Sequence, residues 1–270
     1  MKKIGIIGAG NMGGAIAQAL CEQQTWSVTL FDTDKSKLDA LGKKLGCSVA
    51  SSLDELLLSE ELLLLSVKPQ VLPSLYATLR QRGASEKQWI SIAAGVSLET
   101  LAKQLGTNEI VRFMPNLAAQ VKQSVTAVAA HEKSSKHLLE TALIIARGFG
   151  TAFPLPEEQI AAFTGISGSA IAYVFQFFHA LAMGGVSEGL PYPLALAIAR
   201  DTCLSAASLQ KGTDENPVKL ATMVCSAGGT TIEGMKALAE GAFDATVMEA
   251  VHAAAERFRD LEEESKHQGL

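Results

Sequence analysis

The sequence predicts an α/β protein, a doubly wound parallel sheet over residues 1–158 followed by an all-helical region over residues 159–270. Three observations predict it. A glycine-rich turn, Gly8-Ala9-Gly10-Asn11-Met12-Gly13, follows a short apolar run and opens a helical one. Strand-like and helical runs then alternate as far as Gly148, the pattern of a sheet covered on both faces. Beyond Phe153-Pro154-Leu155-Pro156-Glu157 only the helical period persists.

Residues 2–7 form the first strand, and Ala15–Cys21 the helix after the glycine turn. Val28–Phe31 is a second strand that ends at Asp32. Glycine turn, helix, strand and acidic end together form a Rossmann-type dinucleotide signature, far more specific than the glycines alone. Ile7, Gly8, Gly10, Asn11, Met12 and Gly13 are the expected pyrophosphate contacts, and Asp32 the expected ribose contact. An acidic ribose contact favours NADH over NADPH, although Lys35 and Lys37 lie close enough in sequence to soften the preference.

Ser36–Leu45 is helical and closed by Gly46, and Ser52-Leu53-Asp54-Glu55 reads as a capping box. Leu62–Val67 is a continuous apolar strand of the buried parallel kind, ended by Lys68-Pro69. Trp89–Ile92 and Ile110–Phe113 are further strands, with a helix from Ser97 to Leu105 between them. Val125–Ala130 and a helix over Lys136–Arg147 follow. Ligands of such sheets bind beyond the carboxyl ends of the strands. Three loops fall there: Ser66-Val67-Lys68-Pro69, Ala93-Ala94-Gly95 and Met114-Pro115-Asn116. Their small residues and prolines would let backbone lie against a flat nicotinamide.

In the helical region, Ala170–Val186 is apolar nearly all round, with Ile171, Val174, Phe175, Phe177, Phe178, Leu181 and Met183. It carries Gln176 and His179 and is shorter than the roughly 20 apolar residues of a membrane span. It is expected to be a buried helix, part of whose cover comes from a second subunit. His179 is expected to be a satisfied core histidine, and Asp214-Glu215-Asn216 a solvated turn and helix cap ahead of Pro217. Residues 262–270 are charged and expected to fray.

Ser226-Ala227-Gly228-Gly229-Thr230-Thr231 sets two hydroxyls behind two glycines, ahead of a helix over Thr231–Leu238. Glycine permits close approach of backbone, and a helix N-terminus attracts an anion such as a carboxylate. Alone, the stretch reads equally as a tight turn capped by Thr230.

The whole chain has 270 residues, 48% of them hydrophobic and 19% charged, with a net charge of −5. No basic run supplies a footprint for nucleic acid. Cys21, Cys47, Cys203 and Cys225 show neither CxxC nor Cys/His spacing, so no metal is predicted and a reduced, cytoplasmic setting is expected. Met1-Lys2-Lys3 leads into too short an apolar run, without a cleavage site, to read as a signal peptide.

These motifs resemble the pyrroline-5-carboxylate reductase family over essentially the whole chain. The markers are Ile7–Gly13, Ser66-Val67-Lys68-Pro69-Gln70, Arg112-Phe113-Met114-Pro115-Asn116, Thr164–Ser169 with Ala172-Tyr173, and Ser226–Thr231, the last being the most specific. The resemblance implies reduction of 1-pyrroline-5-carboxylate to L-proline with NADH or NADPH, by a Rossmann domain and a helical domain that dimerises and often builds larger rings. It puts cofactor contacts on the glycine turn, on Ser66, Val67, Lys68 and Pro69, and on Ala93 and Ala94. It puts substrate on Ser226, Gly229, Thr230 and Thr231, with the Thr231 hydroxyl on the ring nitrogen as the catalytic contact. It also places an acidic group near the substrate amine, at Asp214 or Glu215. The chain departs from the family pattern at Ala170-Ile171, where Gly-Pro is usual, and at Ala227, where proline is usual. Two rivals keep the fold. A β-hydroxyacid dehydrogenase would need a lysine base on the long interdomain helix, and none lies between Lys136 and Lys211. A dinucleotide-binding regulator without activity would need only the relaxed loop.

Overall fold

The computed structural model of the chain describes residues 1–267, which divide into two units. The first is Met1–Gly168 together with the segment from Ala253 onward, and the second is Ser169–His252.

The first unit contains β1 (Lys2–Ile7), α1 (Asn11–Glu22), β2 (Trp26–Phe31), α2 (Lys35–Leu45), β3 (Ser48–Val49), α3 (Leu53–Ser59) and β4 (Leu62–Leu65). It continues through α4 (Leu72–Gln81), β5 (Gln88–Ser91), α5 (Leu98–Leu105), β6 (Ile110–Met114), β7 (Ser124–Ala130), α6 (Lys136–Arg147), β8 (Gly150–Pro154) and α7 (Ile160–Phe163). A π-helical turn over Thr164–Gly168 closes that run. The strands form one sheet in the order β3-β2-β1-β4-β5-β6-β7-β8. β1 to β6 are parallel, β7 is antiparallel to β6, and β8 is parallel to β7.

Sequence alternation thus places five of the six parallel strands, β1, β2, β4, β5 and β6, and four features lie outside it. The antiparallel step to β7 arises because residues 115–123 are too few for a parallel crossover. β3 is only two residues long and carries no period to read. β8 ends on Pro154, which the sequence reading takes as a boundary; as the edge strand, β8 tolerates it. α4 contains Pro73, yet that proline sits in the first turn, where its missing N–H leaves no bond unmade.

Two cores cover the sheet. One gathers Leu56, Tyr76, Leu101, Trp89, Ile160 and Phe258, and the other gathers Ile16, Leu20, Leu38, Leu138 and Ile145. Leu62, Leu63, Leu64 and Leu65 of β4 are all buried, as a strand covered on both faces requires. Each such side chain contributes about 1.5–3 kcal/mol on burial. Ser52, Ser97 and Ser135 cap α3, α5 and α6 through their hydroxyls, and Gly46 and Gly106 end α2 and α5 in the left-handed conformation. The capping box is shifted by one residue: the Glu55 carboxylate accepts from the N–H and hydroxyl of Ser51, which holds its pKa below the usual value.

The second unit holds α8 (Ala170–Ser187), α9 (Tyr192–Thr213), α10 (Pro217–Val224), α11 (Thr230–Glu240) and the start of α12 (Phe243–His267). α8 and α9 pack side by side, closely at Gly185, where a Cβ would lie 3.1 Å from that of Ala195. The expected burial of α8 does not occur within one chain. Only Ala182 is buried, and Phe175 is 57% exposed. His179 correspondingly lies exposed and bonds the Tyr192 hydroxyl at 3.1 Å.

Two further expectations are corrected. α12 does not fray at residue 262 but runs through His267, with Glu262 bonded to buried Arg112 and Ser265 buried. Residues 268–270 lie outside the described residues. The helical run Glu157–Ser187 is long and apolar enough to cross a membrane by length and composition, a match the sequence reading undercounts by starting at Ala170.

Candidate functional site

The loops after β1, β2, β4 and β5 meet at one edge of the sheet because their strands are in register. Ile7 lies between Phe31 and Leu65, and Leu65 lies beside Ser91. The loops are stitched together where they begin. Gly8 N–H donates to the Phe31 carbonyl at 2.8 Å, Ser66 N–H to Ile7 at 2.8 Å, and Ile92 N–H to Leu65 at 3.1 Å. The strand order reverses between β1 and β4, the switch point where such sheets bind ligands.

Three glycines of the turn have separate causes. Gly8 has φ +104°, and a Cβ there would lie 2.4 Å from the Ser66 carbonyl oxygen. A Cβ on Gly13 would lie 2.1 Å from the Gly8 carbonyl oxygen, so that position packs the start of α1 onto the turn. A Cβ on Gly10 would meet nothing within 4 Å. Gly10 is the N-cap of α1 and offers no side-chain cap, so the open space faces the first N–H groups of the helix at Asn11, Met12 and Gly13. Free N–H groups at a helix start attract an anion. The Ser66 hydroxyl packs beneath the turn, buried and without a partner.

Asp32 braces the same turn. Its Oδ2 accepts from Ala9 N–H at 2.7 Å and its Oδ1 from Asp34 N–H at 2.9 Å. Beside it opens a cleft of about 640 Å³ lined by Asp32, Thr33, Lys35, Ser51 and Ser52 among others. Ser51 and Ser52 are missed as site residues because the sequence marks them only as the start of α3. Lys37 does not line this cleft.

Past β4, Lys68 is extended and exposed, and Pro69 starts a single 3-10 turn. Past β5, Ala93 is buried and Ala94 exposed, and Gly95 takes φ +75°. Pro69, Ala94 and Gly95 share a cleft of about 600 Å³ with Leu261 and Ser265 of α12. The loop after β6 is different in kind. Asn116 is buried, with Nδ2 donating to Ser167 Oγ and Oδ1 accepting from Ala118 and Val125, so its amide serves the fold.

In the second unit, Gly228 takes φ +65°, and a Cβ on Gly229 would lie 2.2 Å from Ser226 Oγ. The N-cap of α11 is Gly229, without a side-chain cap, and Thr230 and Thr231 are the first two helical residues. The turn is therefore not capped by Thr230, as one reading of the sequence had it. Thr230 is exposed and Thr231 half-buried, and neither hydroxyl is bonded to another described residue. The arrangement presents free helix N–H groups and two hydroxyls to a small anion with a polar neighbour. In the turn between α9 and α10, Asp214 ends α9 with φ 54°, Glu215 pairs with Lys219 at 2.6 Å, and Asn216 caps α10.

Among the described residues no group of three or more His, Cys, Asp or Glu side chains could hold a metal. The four cysteines are free and half-buried. Burial pushes the Cys47 thiol up to about 12 and raises that of Cys21, so both are protonated at neutral pH.

Residues 157–261 match the family model for pyrroline-5-carboxylate reductase dimerisation, and residues 3–95 that for NADP oxidoreductase, coenzyme F420-dependent. The chain is 38% identical over 265 residues to the pyrroline-5-carboxylate reductase of Methanosarcina acetivorans, covering 96% of this chain and 98% of that one. Among solved structures it is similar to a pyrroline-5-carboxylate reductase from Coxiella burnetii, at 30% identity and a TM-score of 0.90, covering 96% and 97% of the two chains. It is also similar to the Plasmodium falciparum pyrroline carboxylate reductase with NADP bound, at 26% identity and a TM-score of 0.84, covering 97% and 98%.

Proposed function

The chain belongs to the pyrroline-5-carboxylate reductase family, and from that premise we propose how its residues divide the work. It is an NAD(P)H-dependent oxidoreductase that reduces 1-pyrroline-5-carboxylate to L-proline. Residues 1–158, whose core α12 completes, form the dinucleotide-binding part, and the remainder of residues 159–270 the substrate-binding and dimerising part.

The open space over Gly10 fits the pyrophosphate between Gly8 and the start of α1. Asp32 takes the adenosine ribose, sharing its oxygens between the diol and the backbone N–H groups that already hold it. Its charge repels a 2′-phosphate, which favours NADH, while Lys35 in the same cleft moderates the preference. Val67, Lys68, Pro69, Ala93 and Ala94 line the nicotinamide side. When bound there, the reduced nicotinamide would supply the hydride, which the carbon of the protonated imine takes up as its nitrogen becomes the amine of proline.

A protonated imine is already electrophilic, so the chain's residues orient it and exclude water. The α11 N–H groups with Ser226, Gly229 and Thr230 hold the carboxylate, and the Thr231 hydroxyl bonds the ring nitrogen. The observation that carries this reading is the uncapped start of α11 with two unbonded threonine hydroxyls. Kinetics with 1-pyrroline, which lacks the carboxylate, test it. The carboxylate is worth about 1.5–3 kcal/mol as a charge-assisted contact, so kcat/KM should fall roughly 10- to 150-fold. Equal use of the two imines would remove the carboxylate from α11.

The exposed apolar face of α8 lies within the matched dimerisation region, so its cover is a second copy of the chain. That also accounts for apolar residues without invoking a membrane. The setting we assign is the cytoplasm.

A further inference from the structure

We infer that Arg112 is a positioning residue for the nicotinamide side of the cofactor cleft, acting through Glu157 and Glu262 on the loop between β5 and α5. The inference rests on the reading above that Ala93 and Ala94 of that loop face the nicotinamide.

Arg112 lies on β6 and is wholly buried. Its Nη1 donates to Glu157 Oε1 at 2.8 Å and to Glu262 Oε1 at 2.6 Å. Glu157 bonds that short loop directly, and Glu262 is linked to it through its neighbour Leu261 on α12. Glu157 Oε1 also accepts from Leu98 N–H at 2.7 Å, and Leu98 is the first residue of α5, where the loop ends. Glu262 fixes the turn of α12 that carries Leu261, which lies against Gly95 at contact distance, a Cβ there coming 3.4 Å from the Leu261 carbonyl oxygen. One guanidinium therefore holds the loop at its middle and at its end. The Phe258 ring of α12 lies beside the guanidinium, its centroid 5.5 Å from Arg112 Cζ.

Stability alone does not explain this arrangement. Arg112 Nε and Nη2 are buried without partners. Buried ion pairs stabilise little over an apolar replacement, and unpaired buried N–H groups cost further. What a cation at this point achieves, and an apolar side chain does not, is to fix two carboxylates from distant segments in one geometry.

Full-length Arg112→Met is compared with wild type for binding of NADH and of ADP-ribose, which lacks the nicotinamide. If Arg112 positions the loop, NADH affinity falls about tenfold while ADP-ribose affinity stays within about twofold. Parallel loss of both ligands, or no loss of either, overturns the inference. Glu157 keeps the test decisive should Arg112→Met fail to fold. Glu157→Ala should lose NADH affinity selectively, and Glu157→Gln, which still accepts from Leu98 N–H, should restore most of it. Glu157→Ala binding NADH like wild type overturns the inference equally. Binding is read without turnover, so a wild type that binds NADH but does not reduce pyrroline-5-carboxylate sinks the functional reading and leaves this one standing.

Discussion

Asp32 Oδ2 and the Ala9 N–H are joined by a 2.7 Å hydrogen bond across 23 residues, so the end of β2 and the glycine turn form one rigid corner. Asp32 therefore braces the turn with the same carboxylate that the proposed ribose contact would use. Wild-type protein should use NADH at least as well as NADPH. Asp32→Ser should raise the NADPH-to-NADH ratio of kcat/KM roughly tenfold, the equivalent of about 1.4 kcal/mol. The same variant loses the brace, so its absolute kcat/KM should fall with both coenzymes. A wild type with strong NADPH preference would remove Asp32 from the ribose.

The Thr231 hydroxyl makes no hydrogen bond to another described residue, so its removal separates chemistry from folding. Loss of one positioned hydrogen-bond acceptor for the protonated imine N–H costs about 1–3 kcal/mol, so Thr231→Ala should lower kcat/KM roughly 10- to 100-fold with Tm unchanged. Thr231→Ser should recover most of the loss. A shifted Tm with unchanged kinetics would make Thr231 a structural residue.

Phe175 is 57% exposed on the apolar face of α8. Phe175→Glu should convert the assembled protein to monomers by light scattering, with activity lost. A wild type that runs as a monomer would leave that face unexplained.

A chain cut after Glu158 tests how the first unit is completed. Ala255 and Phe258 of α12 belong to one of its two cores, and Glu262 pairs with Arg112. Removing a core phenylalanine costs about 3–5 kcal/mol, and unpairing a buried charge costs about the same. The 1–158 fragment should therefore melt well below the full chain, without its cooperative transition. A fragment with full-length Tm and NADH affinity would show that α12 adds nothing to the first unit.

Wherever local rules govern, the sequence reveals the architecture. The glycine turn, β1, β2 and the apolar β4 follow from periodicity and the need for φ above zero at Gly8. The return of α12 is not legible, because Phe258 and Glu262 sit in an ordinary amphipathic helix and reveal their role only beside Arg112. Ser51 and Ser52 are hidden for a related reason, since β3 is too short to show a period and the serines look like caps alone. At α11 the motif places the hydroxyls, but only the backbone shows that Gly229, not Thr230, is the N-cap.

The central claim is that this chain reduces a cyclic imine carboxylate. Purified full-length protein should oxidise NADH in proportion to added 1-pyrroline-5-carboxylate, with one proline released per NADH consumed, and should not reduce NAD with β-hydroxyacids. A folded, dinucleotide-binding protein that leaves NADH untouched in the presence of 1-pyrroline-5-carboxylate would contradict the account.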